Sequence, residues 1–405
     1  MLTFHYTARD PATGQKVESQ VQAENAQAAA RLIREEGLSP IDIKAVDAND
    51  KGFSKLFKKV KSKDRVLFSR QMATLINAGL PLVQSLRSVA NQATSKQLKM
   101  VVNNIITDVE GGLPLSTSMS KYPQIFNKVY INLIAAGEAS GTLDQALDRL
   151  AIQQEKDAEL LSKVRGAMIY PIIVLVVMFA VVIFMIVSVL PQVQELYKDL
   201  PDANLPFLTR TLLAVSHIFI GYWWVLLIIL VFSVFFMTRW ARTLGGKRVI
   251  DRLKMRIWPV GPLFMKMYMA RFARTGATLV ATGVPLIQTL EITGEAVNNI
   301  HISESLKKAT EKVKGGKALS EALTNDPNFL ELVPNMLRIG EQSGTIEQML
   351  GKTADYYEHE VDNQIKTIST IIEPVLMVIL GVFAFIIVAA VLLPIYGLAG
   401  KTLIK

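Results

Sequence analysis

The chain has 405 residues, half of them hydrophobic, a formal net charge of +9 and a positive mean hydropathy, a balance unusual for a soluble protein. It has no cysteine, which excludes disulfides, thiolate nucleophiles and cysteine-based zinc sites. Much of the basic excess lies beside apolar runs, where anionic lipid accounts for it, so no nucleic-acid partner is expected.

The opening residues contain no uninterrupted apolar core, and no signal peptide is expected there. Residues 1–47 read instead as a small α/β segment. Phe4, Tyr6 and Ala8 alternate as in a strand, and Lys16–Gln22 pairs with it across a turn at Gly14. Asn25 then caps a helix through Ala26, Ala29, Leu32 and Ile33 that Gly37 stops, and Pro40–Ile43 forms another strand. A basic linker (48–64 in outline, the charge running from Lys51 to Arg65) leads to a first helical domain over 65–170.

Three runs carry no charge: Pro171–Leu190, Ile218–Met237 and Val375–Leu393. Each is long enough, at about 1.5 Å per residue, to cross a hydrocarbon core of about 30 Å. The expected organisation is a first span over 171–190, an external loop over 191–217, a second span over 218–237, a basic link and second helical domain over 238–373, a third span over 374–393 and an external tail over 394–405. Orientation follows from the basic flank of span two, where Arg239, Arg242, Lys247 and Arg248 form a cluster suited to anionic lipid on the cytoplasmic side. The N-terminus is then cytoplasmic and the C-terminus external.

The helical domain occurs twice. Phe68–Leu86 aligns with Phe272–Leu290 at an offset of 204, with ten of nineteen positions identical. The register holds at Gly111-Gly112 against Gly315-Gly316 and at Pro123 against Pro327. After a one-residue deletion it becomes 203, and Gly137-Glu-Ala-Ser-Gly-Thr142 meets Gly340-Glu-Gln-Ser-Gly-Thr345. The fold class is therefore an all-α membrane protein with two repeated helical bundles facing the same side, three transmembrane helices and a small N-terminal α/β segment. Parallel repeats lean away from the inverted design common among transporters.

Gly79-x-Pro81 and Gly283-x-Pro285 read as joints between helices, glycine supplying the left-handed residue and proline the first turn of the next helix. In the Gly137/Gly340 loops, Gly141 and Gly344 give room to turn, and Thr142…Gln145 and Thr345…Gln348 fit the capping box. Glu138 and Glu341 are not required by a turn; they suit an interhelical hydrogen bond, a cation or a partner. Gly351-Lys352-Thr353 lacks the upstream glycine of a phosphate loop, since that position is Ile346. The four histidines are scattered, and no nucleophile, metal set or cofactor motif is present. Glu358, Glu360 and Asp362 form an acidic run suited to a solvated face or a basic partner. Pro171 and Pro374 stand where the long helices enter the membrane and are expected to bend them, with Glu373 at that bend.

The ordered set of motifs resembles the GspF/PilC family of polytopic platform proteins of type IV pilus assembly and type II secretion machines. It comprises the Phe4-x-Tyr6-x-Ala8 opening, Gly37-Leu-x-Pro40, the paired Gly-x-Pro-Leu stretches, both Gly-Glu-x-Ser-Gly loops, Tyr170-Pro171 and Glu373-Pro374. The resemblance implies six-helix cytoplasmic bundles and a ββαβ N-terminal segment. It also implies a non-catalytic protein of the cytoplasmic (inner) membrane that needs no cofactor and forms a homo-oligomer. Its implied partners are a hexameric assembly ATPase, pilins or pseudopilins, other inner-membrane components of the machine and membrane lipids. Gly137, Glu138, Gly141, Gly340, Glu341 and Gly344 match the family's most recognisable loops. Pilus assembly is the leading expectation and a secretion platform the alternative.

Overall fold

The computed structural model describes residues 2–9, 16–23, 26–35, 37–45, 60–192, 195 and 207–402. It separates into an N-terminal unit, residues 1–61 with 95–98, and a larger unit holding the rest. In the first, β1 (Leu2–Arg9) lies between β2 (Lys16–Ala23) and β3 (Ser39–Ala45), antiparallel to both. Alternation buries Tyr6 and Ala8 on one face, and α1 (Ala26–Glu35) covers that face with Ala29 and Ile33, four residues apart. Gly37, at φ +79°, ends the helix, and the Leu38 amide donates back to the Ile33 carbonyl at 3.1 Å. Pro40 enters at the sheet edge, where the β1–β3 register shifts between Thr7 and Ala8. The expected turn at Gly14, the Asn25 cap and residues 46–59 of the linker lie outside the described residues.

In the larger unit six helices appear twice. The first set is α2 (Ser62–Asn77), α3 (Leu82–Gln92), α4 (Lys96–Glu110), α5 (Leu115–Ser120), α6 (Lys128–Ser140) and α7 (Leu143–Phe184). After α8 (Phe207–Gly221), α9 (Trp223–Ala241) and α10 (Leu244–Arg256) comes the second set. It consists of α11 (Gly261–Ala281), α12 (Leu286–Ala296), α13 (Ile300–Lys314), α14 (Leu319–Leu323), α15 (Leu332–Ser343) and α16 (Ile346–Thr402). Helix α2 starts at Ser62, inside the expected linker, because Asp64 favours the positive end of a helix in its first turn. The repeated joints reproduce closely. Gly79 and Gly283 have φ of +81° and +79°, whereas Pro81 and Pro285 take the cap position, one residue before the expected first turn. Each core holds the same aromatic pair, Phe68–Phe126 at 5.8 Å between ring centres and Phe272–Phe329 at 5.2 Å.

Helices α7 and α16 run from the bundles into the apolar segments without interruption at Pro171 or Pro374. Helix α7 continues through one wide π-type turn, Met185–Val189, and on to Gln192. Among the described residues, three helices are long and apolar enough to cross a membrane: α7 with its extension, α9 and α16. None of the apolar window of α9 is buried by protein, as expected for a helix solvated by lipid.

The span limits differ from expectation. The second apolar run breaks at Tyr222, just after Gly221, a weak helix former, and the helix long and apolar enough to span is Trp223–Ala241. Part of the expected external loop is α8. It packs against the membrane end of α16, its buried Thr209 hydroxyl donating to the Ala390 carbonyl at 3.0 Å. Helix α16 reaches Thr402, so most of the expected tail is helical.

Candidate functional site

The Gly-Glu-x-Ser-Gly loops join the fifth and sixth helices of each bundle. A Cβ on Gly137 would lie 2.5 Å from Ala146 Cβ, and one on Gly340 would lie 2.9 Å from Ile346 Cα, so only glycine lets the two helices approach this closely. Gly141 and Gly344 both adopt φ +73° and terminate α6 and α15. The expected capping box at Thr142 does not form. Its hydroxyl makes no capping bond to the helix and instead lies 2.7 Å from the Ser140 hydroxyl, as Thr345 lies 2.6 Å from Ser343. The φ −111°, ψ 43° backbone of Thr142 departs from the extended geometry that a capping side chain needs.

Glu138 and Glu341 turn away from these loops toward the short helices α5 and α14. Glu138 accepts from the Leu115 amide at 2.5 Å, the Ser116 amide at 3.1 Å and the Ser116 hydroxyl at 2.5 Å. Glu341 repeats this with the Leu319 amide at 2.6 Å, the Ser320 amide at 3.3 Å and the Ser320 hydroxyl at 2.5 Å. These are interhelical hydrogen bonds, one of the three roles open from sequence: each carboxylate takes up amides that the first turn of a helix leaves unpaired. Among the described residues, no cluster of three or more His, Asp or Glu is placed to hold a metal ion.

A second repeated feature ties the first helix of each bundle to the sixth. Arg70 forks onto Glu155 at 2.5 and 2.7 Å, and Arg274 binds the equivalent Glu358 at 2.8 Å. The Arg70 hydrogen bond holds the Glu155 carboxyl below the ordinary carboxylate range.

The acidic run is consumed inside the chain, which corrects the expectation of a solvated face. Glu358 also meets Lys156 at 3.4 Å, Glu360 meets Lys266 at 2.8 Å and Asp362 meets Lys163 at 2.8 Å. Lys156 and Lys163 belong to α7, so their two pairs clasp the first bundle to the second, whereas Lys266 lies on α11 of the second bundle itself. Asp157 with Arg271 at 3.2 Å and Lys128 with Glu295 at 2.7 Å extend the clasp. At its centre, Gln153, only 2% exposed, donates to the Thr275 hydroxyl at 3.2 Å and accepts from Thr278 at 3.3 Å. Hydrogen bonds to Asp362 and Glu159 raise the Lys163 pKa, while Lys163 and Lys266 lower those of Glu159 and Glu360 respectively.

Nearer the membrane the clasp becomes apolar, Leu160 and Val164 of α7 joining the same core as Val361 and Ile368 of α16. The pairing of lysines on α7 with acids on α16 is visible in the sequence as charge, but nothing in the sequence says which helices meet. At the membrane entries Pro171 is buried, whereas Glu373 and Pro374 are exposed. The basic cluster divides. Arg239 sits over the Phe235 ring, 5.8 Å from its centre, and Arg242 is exposed beside the end of the span. Lys247 donates to Asn298 at 3.1 Å and Arg248 pairs with Glu304, so both turn toward the second bundle. Buried His301 joins this contact, its Nε2 lying 3.0 Å from the Arg248 carbonyl.

The family profile described as type II secretion system (T2SS), protein F, matches twice, over residues 68–191 and 272–394, and the profile of that protein's N-terminal domain matches residues 1–44. A type IV pilus assembly protein PilC of Thermus thermophilus is 39% identical over 99% of both chains. A protein of the same name from Pseudomonas aeruginosa is 35% identical over 90% of this chain and 97% of its own. A type II secretion system protein F of Xanthomonas campestris is 32% identical over 98% of this chain and 99% of its own.

Proposed function

The chain belongs to the type II secretion system protein F family, and we propose that it is the non-catalytic cytoplasmic-membrane platform of type IV pilus biogenesis. In this reading it couples a cytoplasmic assembly ATPase to the insertion of pilins into the filament or their extraction from it. The observation that carries the reading is the pair of clasped bundles whose last helices, α7 and α16, continue as membrane helices. A push on either bundle is delivered to both spans, because the clasp and the shared apolar seam move them together. The pilus-assembly relatives, at 39% and 35% identity, favour a filament of pilins over a secretion machine.

The bundles face the cytoplasm and the C-terminal end faces outward, with Arg239 and Arg242 at the cytoplasmic headgroups, as the charge asymmetry favours. Pro171 and Pro374, each lacking a backbone donor, are the points at which motion of a bundle is redirected into its span, with Glu373 beside the second. Gly137, Gly141, Gly340 and Gly344 keep the joints rigid enough to pass that motion on.

A second reading, a type II secretion platform acting on pseudopilins, is favoured by the 32% identity to the Xanthomonas protein over nearly the whole length of both chains. Gene deletion separates the two. Loss of surface pili with secretion of exported enzymes intact is the expected result, and loss of secretion with pili retained would make the second reading correct. If Pro171→Ala combined with Pro374→Ala left filament output unchanged, the prolines would have no part in the coupling.

A further inference from the structure

The first bundle has a groove partly filled by the second bundle, and the second bundle has the same groove with nothing against it. In the first, Ser62, Asn127, Val129, Gln154 and Asp157 line a space of about 350 Å³ whose remaining wall is the α11–α12 corner, with Arg271, Ile292 and Glu295. The repeat-equivalent residues Lys266, Leu330, Leu332, Tyr357 and Glu360, together with Tyr356, line a space of about 430 Å³ in the second bundle. All of its walls belong to the second bundle itself. Gln153, covered by the corner, is 2% exposed, whereas its counterpart Tyr356 is 50% exposed.

The side chains of groove and corner differ between the repeats in a matched way. The filled groove is polar and receives Arg271 on Asp157 at 3.2 Å. The open groove is mostly apolar, and the position equivalent to Arg271 on the α2–α3 corner is Leu67, a large hydrophobe left 47% exposed. At the rim of the filled groove Asn132 and Gln288 share a hydrogen bond at 2.9 Å. Their counterparts are the same two residue types, Asn335 at the open groove and Gln84 on the α2–α3 corner, and both are exposed.

We propose that the open groove of the second bundle seats the α2–α3 corner of a second copy of this chain, repeating between molecules the docking made within one. Leu67 enters against Leu332 and Tyr356, and Gln84 hydrogen-bonds Asn335. Donor corner and acceptor groove are different surfaces, so the contact is head-to-tail, and copies held in one membrane plane join as a ring or an open row rather than as a symmetric pair. The inference rests on the two bundles alone and not on the pilus reading.

The chain's lack of cysteine makes the test direct. Chains carrying Gln84→Cys and Asn335→Cys, with different tags, are co-expressed at full length and oxidised in native membranes. The expected product is a dimer bearing both tags, absent when either variant is expressed alone and lost when Leu67→Asp is added to the Gln84→Cys chain. Both cysteine positions are exposed, and unchanged melting of the uncross-linked chain shows that the fold survives. No two-tag dimer, self-dimers from one variant as abundant as the mixed product, or capture of a different polypeptide at position 335 would overturn the proposal.

Discussion

The two bundles are built from the same joints but sit in different surroundings. Helix α2 buries one face, with Phe68, Met72 and Ala73 inward, and leaves Leu67 and Thr74 exposed. Its equivalent α11 is covered on nearly all sides, and Ala270, Thr275 and Thr278, whose counterparts in α2 stay accessible, are buried beneath α7 and α16. The local code (glycine joint, carboxylate cap, arginine fork) is the same in both copies. What differs is the outer face of the first helix, where the second copy carries small and polar residues that admit a neighbouring helix. The repeat keeps the bundle and changes its outer surface.

Changes at the crossing of the fifth and sixth helices are expected to cost most. Gly137→Ala forces a Cβ onto Ala146 and should lower stability by about 3 kcal/mol, and Gly340→Ala by about 2 kcal/mol, read from thermal unfolding of the detergent-solubilised chain. Tolerance of alanine at one of the two would break the equivalence of the joints. Next come the carboxylate caps. Glu138→Gln and Glu341→Gln should each cost about 2 kcal/mol, because an amide removes the charge and sets a donor against donors. Equal costs in the two bundles sharpen the comparison. A variant with wild-type melting and lost filament assembly would instead make that carboxylate a partner contact.

The covered and uncovered positions should separate clearly. Gln153→Ala leaves Thr275 without its partner, while Thr278 keeps its bond to the Arg274 carbonyl at 2.9 Å, and should cost about 1–2 kcal/mol; Tyr356→Ala should lie within about 0.5 kcal/mol of wild type in the isolated chain. The smallest effect is that of acid. Glu155, Glu159 and Glu360 are held below their ordinary pKa by cationic neighbours, so their contribution is complete above the unfolded value near 4.3 and is lost as pH falls through the depressed folded values. These side chains are partly exposed, so the loss is modest and shrinks further in high salt. Melting measured between pH 7 and pH 3 should fall only at the acid end, and a fall already complete by pH 5 would exclude these carboxylates as its cause.

The repeat register and the glycine joints were legible because they depend on neighbours in sequence: positive φ at Gly79 or Gly141 is a local demand. The interhelical bond of Glu138 was one of the roles open from sequence, but its donors were not legible, since they belong to a helix more than twenty residues upstream that only tertiary packing brings near. The same holds for the acidic run, whose lysine partners on α7 are about 200 residues away. Helix α8 escaped because Arg210 and His217 break the uncharged pattern that marks a span, and a break at Gly221 inside an apolar run has no hydropathy signature. The capping box failed at Thr142 because Ser140 offers its hydroxyl a nearer partner.

A 42-residue helix such as α7 is about 63 Å long at 1.5 Å per residue, and it is gripped over the half that belongs to the bundles. A rod held in that way acts as a lever: the arm beyond Val164 is roughly 30 Å long at 1.5 Å per residue, so a tilt of about 5° carries the far end sideways by about 3 Å. A small angular stroke of the bundle thus becomes a larger sideways displacement at the far end of the apolar half.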